Sequence, residues 1–247
     1  MSDGAHWPSV EEFWIYNNIF DGETGVNLTG HIFLEGGAQS GGRTPWTGTT
    51  GTAYIFNNVF ANAWVFVNKG TNHAIYNNTI LTNISGYNSG LGVGDTTHPK
   101  VKNNYICADT GGFLSLGCAD VTWNNEATDF DYNVYGGCSA LYSCWDAGCG
   151  NNTTLFSTWK TWCNSCDSHS YDHHTISNYG IDTTTYRPLT GSDMIGYGVD
   201  LSGLGITALN SDKNGVARGA SWDIGAYEYV QGGDTTPPAA PTGLRVN

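Results

Sequence analysis

The sequence predicts an all-β chain wound as a parallel β-solenoid with long loops, and three observations carry that prediction. A short pattern recurs, its apolar runs have strand length rather than helix length, and most copies hold a pair of asparagines at their centre. The copies are "IYNNIF" (15–20), "IFNNVF" (55–60), "IYNNTI" (75–80), "VKNNYI" (101–106) and a weaker "DYNVY" (131–135). The polar step begins at 17, 57, 77, 103 and 132, giving intervals of 40, 20, 26 and 29 residues. Recurrence at roughly 20 to 50 residues marks a solenoid. The 40-residue interval holds either one turn with a long insertion or two turns, one lacking the pattern.

The elements follow from the runs around each step. These runs last four to six residues, are β-branched or aromatic, and are bounded by Gly, Asn, Asp and Thr, which is strand chemistry. No stretch carries the 3.6-residue stripe over about ten residues that a helical solenoid needs. Each turn therefore reads as strand, Asn-Asn corner, strand, loop and third strand. The third strands are predicted at "HIFLE" (31–35), "WVFVN" (64–68), "LGVGD" (91–95) and "FLSLG" (113–117), preceded by a partial "GAHW" (4–7). The paired asparagines gain a purpose here. Parallel strands repeat every ~4.8 Å, so each corner amide stacks beside its copy in the next turn. An asparagine ladder then satisfies amides that burial would otherwise penalise.

Composition fits an extracellular β protein: 34 Gly, 9 Trp and only 13% charged residues among 247. That length is ample for one β domain with a sizeable core. No apolar run is long enough to span a membrane. The opening "MSDGAHWPSVEE" lacks an apolar h-region, so it is not expected to be a signal peptide. The net charge of −13 argues against nucleic acid and anionic membranes as partners. It also argues against a highly anionic polysaccharide, since only 9 Lys and Arg are present to neutralise one.

Seven cysteines lie between 107 and 166: Cys107, Cys118, Cys138, Cys144, Cys149, Cys163 and Cys166. Their clustering in a Gly-, Asn- and Thr-rich region suits disulfides that staple long insertions. An odd count leaves at least one thiol free or paired outside the chain. The alternative is zinc at "CNSCDSHSYDHH" (163–174), through Cys163, Cys166, His169 and His173. No second CxxC completes such a site, so stapling is favoured and zinc disfavoured.

Two features carry a resemblance. The repeated I-x-N-N-x-I turns resemble right-handed parallel β-helix proteins of the pectin-lyase-like superfamily. The stretch from "DFDYNVY" through "LFSTWKTW", "DSHS" and "TYRPLTGSDMIGYGVDLS" to "WDIGAYEY" (222–229) resembles the closing segment of bacterial extracellular β-helix repeat proteins. The likeness covers most of residues 13–230, with "WDIGAYEY" its most specific element. It implies a right-handed β-helix domain over 1–230 and a secreted location. Such proteins include polysaccharide lyases, glycosidases, carbohydrate-binding modules and surface proteins, so the fold does not choose the function. Beyond Tyr229, the Gly- and Pro-containing "VQGGDTTPPAAPTGLRVN" reads as a linker. Its "PPAAPTGLRV" resembles the first strand of a fibronectin type III domain, so 231–247 is expected to lead into a neighbouring domain.

A binding site is expected on the third strands. Alternation points Ile32, Leu34, Val65, Val67, Leu91, Val93, Leu114 and Leu116 inward. The opposite parity carries His6, His31, Phe33, Glu35, Trp64, Phe66, Asn68, Phe113 and Ser115 outward, with Gly92 and Gly94 leaving its middle bare. Large outward aromatics need a partner. Either loops such as 36–51 bury them as a second small core, or they form a sugar platform. In the platform, Trp64, Phe66 and Phe33 stack on pyranose faces, while His31, Glu35 and Asn68 bond hydroxyls. Trp46, at the tip of the Gly-rich loop, closes over it.

Catalysis has weaker support. The resemblance implies a Lys or Arg base for a lyase, often with calcium, yet only Arg43 and Lys69 fall near this face. The Asn-Asp, paired-Asp and Gly-His-Gly motifs of polygalacturonase-like hydrolases are absent, and "RPLTG" (187–191) lacks the second arginine of the pectate-lyase pattern. Glu35 and Asp95 form a candidate acid/base pair two strand steps apart, roughly 9 to 10 Å, at the upper limit for an inverting glycosidase. Both equally suit solvated turns, the favoured assignment. Asp167, His169 and Ser170 in "DSHS" are read as turn-stabilising rather than catalytic. The sequence thus favours a non-catalytic module binding a neutral or weakly charged polysaccharide such as xylan. A lyase or glycosidase on the same face is the runner-up, and a structural or adhesive repeat the third. No cofactor is expected; calcium is the ion left open.

Overall fold

The first residue of each polar step turns the chain. Asn17, Asn57, Asn77 and Asn103 have φ of 59, 53, 49 and 58°, and Tyr132 takes the same place at 56°. This left-handed conformation costs most L residues about 1–2 kcal/mol and is tolerated by Asn, so the corner selects asparagine. The computed structural model describes residues 12–22, 32–35, 52–63, 65–82, 90–108, 113–117, 129–136, 141–144, 152–153, 155–162, 166–173 and 180–232.

Three strands accompany each corner. The first repeat unit holds β1 (Glu12–Tyr16), β2 (Ile19–Asp21) and β3 (Ile32–Glu35), and the second β4 (Thr52–Phe56), β5 (Val59–Ala61) and β6 (Val65–Thr71). The third holds β7 (Ala74–Tyr76), β8 (Thr79–Thr82) and β9 (Gly90–Thr97). The fourth holds β10 (Lys100–Lys102), β11 (Tyr105–Ala108) and β12 (Phe113–Gly117). The fifth holds β13 (Phe130–Asp131), β14 (Val134–Gly136) and β15 (Leu141–Cys144). Then come β16 (Asn152–Thr153), helix α1 (Phe156–Trp162) and β17 (Tyr171–His173).

Each unit places one strand in each of three sheets. Sheet A is ordered β1-β4-β7-β10-β13, sheet B β2-β5-β8-β11-β14-β17, and sheet C β3-β6-β9-β12-β15-β16. Every pairing in sheets A and B is parallel, and in sheet C only β15–β16 is antiparallel. The chain is predominantly β, as its sequence predicts. Because β1 pairs directly with β4, Glu12 opposite Thr52, the 40-residue interval is one unit with an insertion. The predicted strand "GAHW" (4–7) lies outside the described residues.

Apolar residues of all three sheets meet in one core, including Ile55 and Ile75 from sheet A, Phe60 and Ile80 from sheet B, and Val65 and Leu91 from sheet C. The second residue of each step lines its edge. Asn58 donates from Nδ2 to Asn78 Oδ1 at 3.1 Å, Asn78 to Asn104 at 3.0 Å, and Asn104 to Asn133 at 3.1 Å. Each also donates to a strand carbonyl, as Asn78 does to Ile55 at 2.8 Å. All four are fully buried, and a buried amide must find such partners.

Asp167 ends the row. Its Oδ1 accepts from Asn133 Nδ2 at 3.1 Å and Ser170 Oγ at 2.6 Å. Its Oδ2 accepts from Tyr135 Oη and Trp159 Nε1, both at 2.8 Å. Burial pushes its carboxyl above the ordinary range, against these four donated bonds.

Residues 180–232 have little regular structure and wrap the outer faces of sheets A and B. Leu201, Leu209 and Trp222 pack on Phe56, Ala74 and Tyr76. Ile181, Met194 and Ile224 pack on Tyr105, Cys107 and Val134. Gly225, at φ +99°, brings the backbone so close that a Cβ there would lie 2.8 Å from Thr79 Oγ1.

Candidate functional site

Sheet C aligns the expected platform in columns. Phe33, Phe66, Gly92 and Ser115 are register partners, as are Glu35, Asn68, Gly94 and Gly117. The alternate positions Val65, Val67, Leu91 and Val93 are buried in the core, as strand alternation requires. For Phe33, Glu35, Phe66, Asn68 and Asp95 it is the backbone placement that the structure fixes. His31, Trp46 and Trp64 lie outside the described residues. Gly92 is buried although it belongs to the outward column.

The register changes the proposed carboxylate pair. Glu35 is level with Asn68, and Asn68 with Gly94. Asp95 therefore stands one residue beyond the Glu35 column. A one-residue offset exchanges the faces of a strand, so these two positions do not share an alternation.

The "DSHS" turn divides its work. Asp167 and Ser170 are buried, and Ser170 Oγ also accepts from Asn133 N at 2.8 Å, the turn-stabilising role expected of them. His169 points outward and is held by Asp131. Asp131 Oδ1 accepts from His169 N at 2.7 Å, and Oδ2 lies 2.7 Å from His169 Nδ1. The ring stacks on Tyr132 with centroids 4.7 Å apart and planes at 10°. Ser168 Oγ lies 3.2 Å from the same Nδ1. A nucleophilic triad needs serine and aspartate on opposite ring nitrogens, and here both address one.

Cys107 and Cys166 are disulfide-bonded. That takes Cys166 from the zinc alternative, because a disulfide sulfur is no thiolate ligand. Among the described residues no group of three or more His, Cys, Asp or Glu is placed to hold a metal ion.

Sequence reasoning missed the outward role of the first asparagines. Asn57 Nδ2 donates to Ser211 O at 2.8 Å, Asn77 Nδ2 to Asp223 O at 3.2 Å and Asn103 Nδ2 to Val199 O at 2.8 Å. The signal was the aromatic alternation of sheet A, where Tyr54, Phe56 and Tyr76 face away from the core and need a cover. Comparison with known proteins gives no match to a family model, a curated protein or a solved structure.

Proposed function

We propose that the chain is a carbohydrate-binding module of a secreted protein that degrades plant polysaccharides. Its scaffold is a right-handed parallel β-helix of the pectin-lyase-like kind with an asparagine ladder, and residues 231–247 lead toward a neighbouring domain. The ligand is a neutral or weakly charged polymer such as xylan. The observation that carries this is the register placing Phe33 beside Phe66 and Glu35 beside Asn68 on one alternation of sheet C. Ring faces next to hydroxyl-bonding groups are the combination a pyranose polymer needs. Trp64 and Trp46 flank this face in the proposal. The −13 charge supports a ligand without dense carboxylates.

The test is a polysaccharide screen that scores both binding and product release, whether reducing ends or unsaturated sugars. Binding without product supports the module. Turnover would instead support the lyase or glycosidase, and no affinity for any polymer would remove both.

A further inference from the structure

We infer that the corner formed by Asp131, Tyr132 and His169 is a second saccharide-contacting site, on the outer side of sheet A and separate from the sheet C face. It rests on the polysaccharide reading above, and takes the adjacent hydroxyls of a neutral sugar. His169 is 59% exposed, yet its ring is held more firmly than a solvated turn requires. Asp131 grips both its backbone N and its Nδ1 at 2.7 Å, and Tyr132 lies flat against it. Buried Asp167 and Ser170 hold the inner side of the turn, and Asp131 fixes the exposed ring on its outer side. Tyr132 takes the left-handed corner position that the other units give to asparagine, which puts an aromatic ring where the other corners carry an amide.

The chemistry follows from which atoms are spent. A carboxylate oxygen only accepts, so His169 Nδ1 donates to Asp131; in the tautomer with its one proton on Nδ1, Nε2 is an acceptor. Lys102 sits opposite Asp131 on the neighbouring strand. Asp131 commits its oxygens to Tyr132 N, His169 N and His169 Nδ1. Among the described residues Lys102 has no ion-pair partner, so its ammonium remains a donor. Lys102 and His169 both adjoin Asp131, and a donor and an acceptor there would suit a vicinal diol, one hydroxyl donating to Nε2 and its neighbour accepting from Lys102. Continuing that register, Lys100 falls opposite Asp129, so two lysines face two aspartates. A face without excess charge selects a neutral sugar over an anionic one.

The test is titration of the full chain with xylohexaose and cellohexaose, following imidazole NMR signals with His169 assigned through His169→Phe. Binding is measured in parallel by calorimetry. One or both sugars should shift the His169 signal saturably, and Trp64→Ala should leave that shift in place. Lys102→Met, an outward change that spares the core, should weaken the His169 response about tenfold, the usual worth of one hydrogen bond to a charged donor. His169→Phe keeps a ring on Tyr132 but lacks the acceptor, and should remove this site's share of binding. Calorimetric binding with a silent His169, or an unchanged response in Lys102→Met, overturns this site alone. Absence of binding to either sugar and to every polymer in the screen removes the polysaccharide reading with it. A stronger His169 response to sodium glucuronate than to xylose overturns the neutral ligand.

Discussion

Asn57 and Asn58 are neighbours whose side chains serve opposite sides of the chain. Asn58 Nδ2 donates inward to Asn78 Oδ1 at 3.1 Å, while Asn57 Nδ2 donates outward to Ser211 O at 2.8 Å, 154 residues away in sequence. Asn57 Oδ1 also accepts from Arg218 at 3.0 Å. The left-handed turn at Asn57 is what separates the two directions. One dipeptide thus ties a unit to its neighbour and to the C-terminal wrap.

That division predicts an order of stabilities at the third corner. Asn78→Ala leaves the buried Asn58 amide without its Oδ1 acceptor and takes one donor from Asn104 Oδ1 and one from the Ile55 carbonyl, and should cost about 3 kcal/mol or more. Asn77→Ala loses the bond to Asp223 O and strains the left-handed φ, costing about 2 kcal/mol. Asn77→Gly keeps the conformation and should cost about 1 kcal/mol. Denaturant unfolding of the three variants checks the order, and Asn77→Ala should also speed proteolysis within 198–228.

Two glycines separate crowding from conformation. Gly225 has φ +99° and faces Thr79 Oγ1, whereas Gly215 has φ +87° with nothing within 4 Å of an added Cβ. Gly215→Ala should cost about 1 kcal/mol, the conformational term alone. Gly225→Ala should cost about 3 kcal/mol, because the wrap must shift from β8. Equal effects in thermal unfolding would show that the approach of 225 to Thr79 is not confining.

These positions show how much was legible in the sequence. The strands and their alternation were, because a repeated period-2 pattern on short β-branched runs has one packed solution, and Val65 through Val93 obey it. The left-handed corner was half visible. Adjacent asparagines announced a stacked polar step, yet nothing local says that Asn57 reaches Ser211. The one-residue offset between Glu35 and Asp95 was invisible for a related reason. Strand ends can be placed within a residue or two from pattern alone, and one residue decides the face. The buried roles of Asp167 and Arg218 depend on contacts between distant segments that no spacing reveals.

Stability should rise on moderate acidification. Burial raises the carboxyls of Asp167, Asp223 and Glu228 above their ordinary values. A carboxyl raised in the folded state contributes stability that is full below the unfolded pKa, about 4, and lost as pH climbs through the folded value. Lower pH also relieves the −13 self-repulsion. The melting temperature should therefore be higher near pH 5 than at pH 8. A melting temperature that falls steadily from pH 8 to 5 would contradict the raised carboxyls.

Mass analysis without reductant should show at least two disulfides and no stoichiometric zinc. Cys107 and Cys166 are already bonded, and seven cysteines leave one thiol over. Alkylation of the native monomer should add at least one label. Loss of folding on chelation, with Cys163 and Cys166 both labelled, would reverse the assignment.

The sheet C face yields the most direct functional prediction. Aromatic anchors concentrate binding energy in a few residues, so Trp64→Ala and Phe66→Ala should each weaken polysaccharide binding by about tenfold or more. If the rings are ligand-facing, both variants should keep the wild-type melting temperature within about 1 °C, since an exposed ring adds little to the core. The buried Gly92 makes this second reading decisive. Should both variants melt well below the wild type, the loops have claimed the rings as a second core and the platform is lost. Glu35→Gln separates binding from chemistry on the same face. An amide still bonds a hydroxyl, so a binding role leaves weakened affinity. A general acid would instead lose turnover with binding intact. With Asp95 out of the Glu35 column, the expected result is weaker binding and no product from wild type or variant.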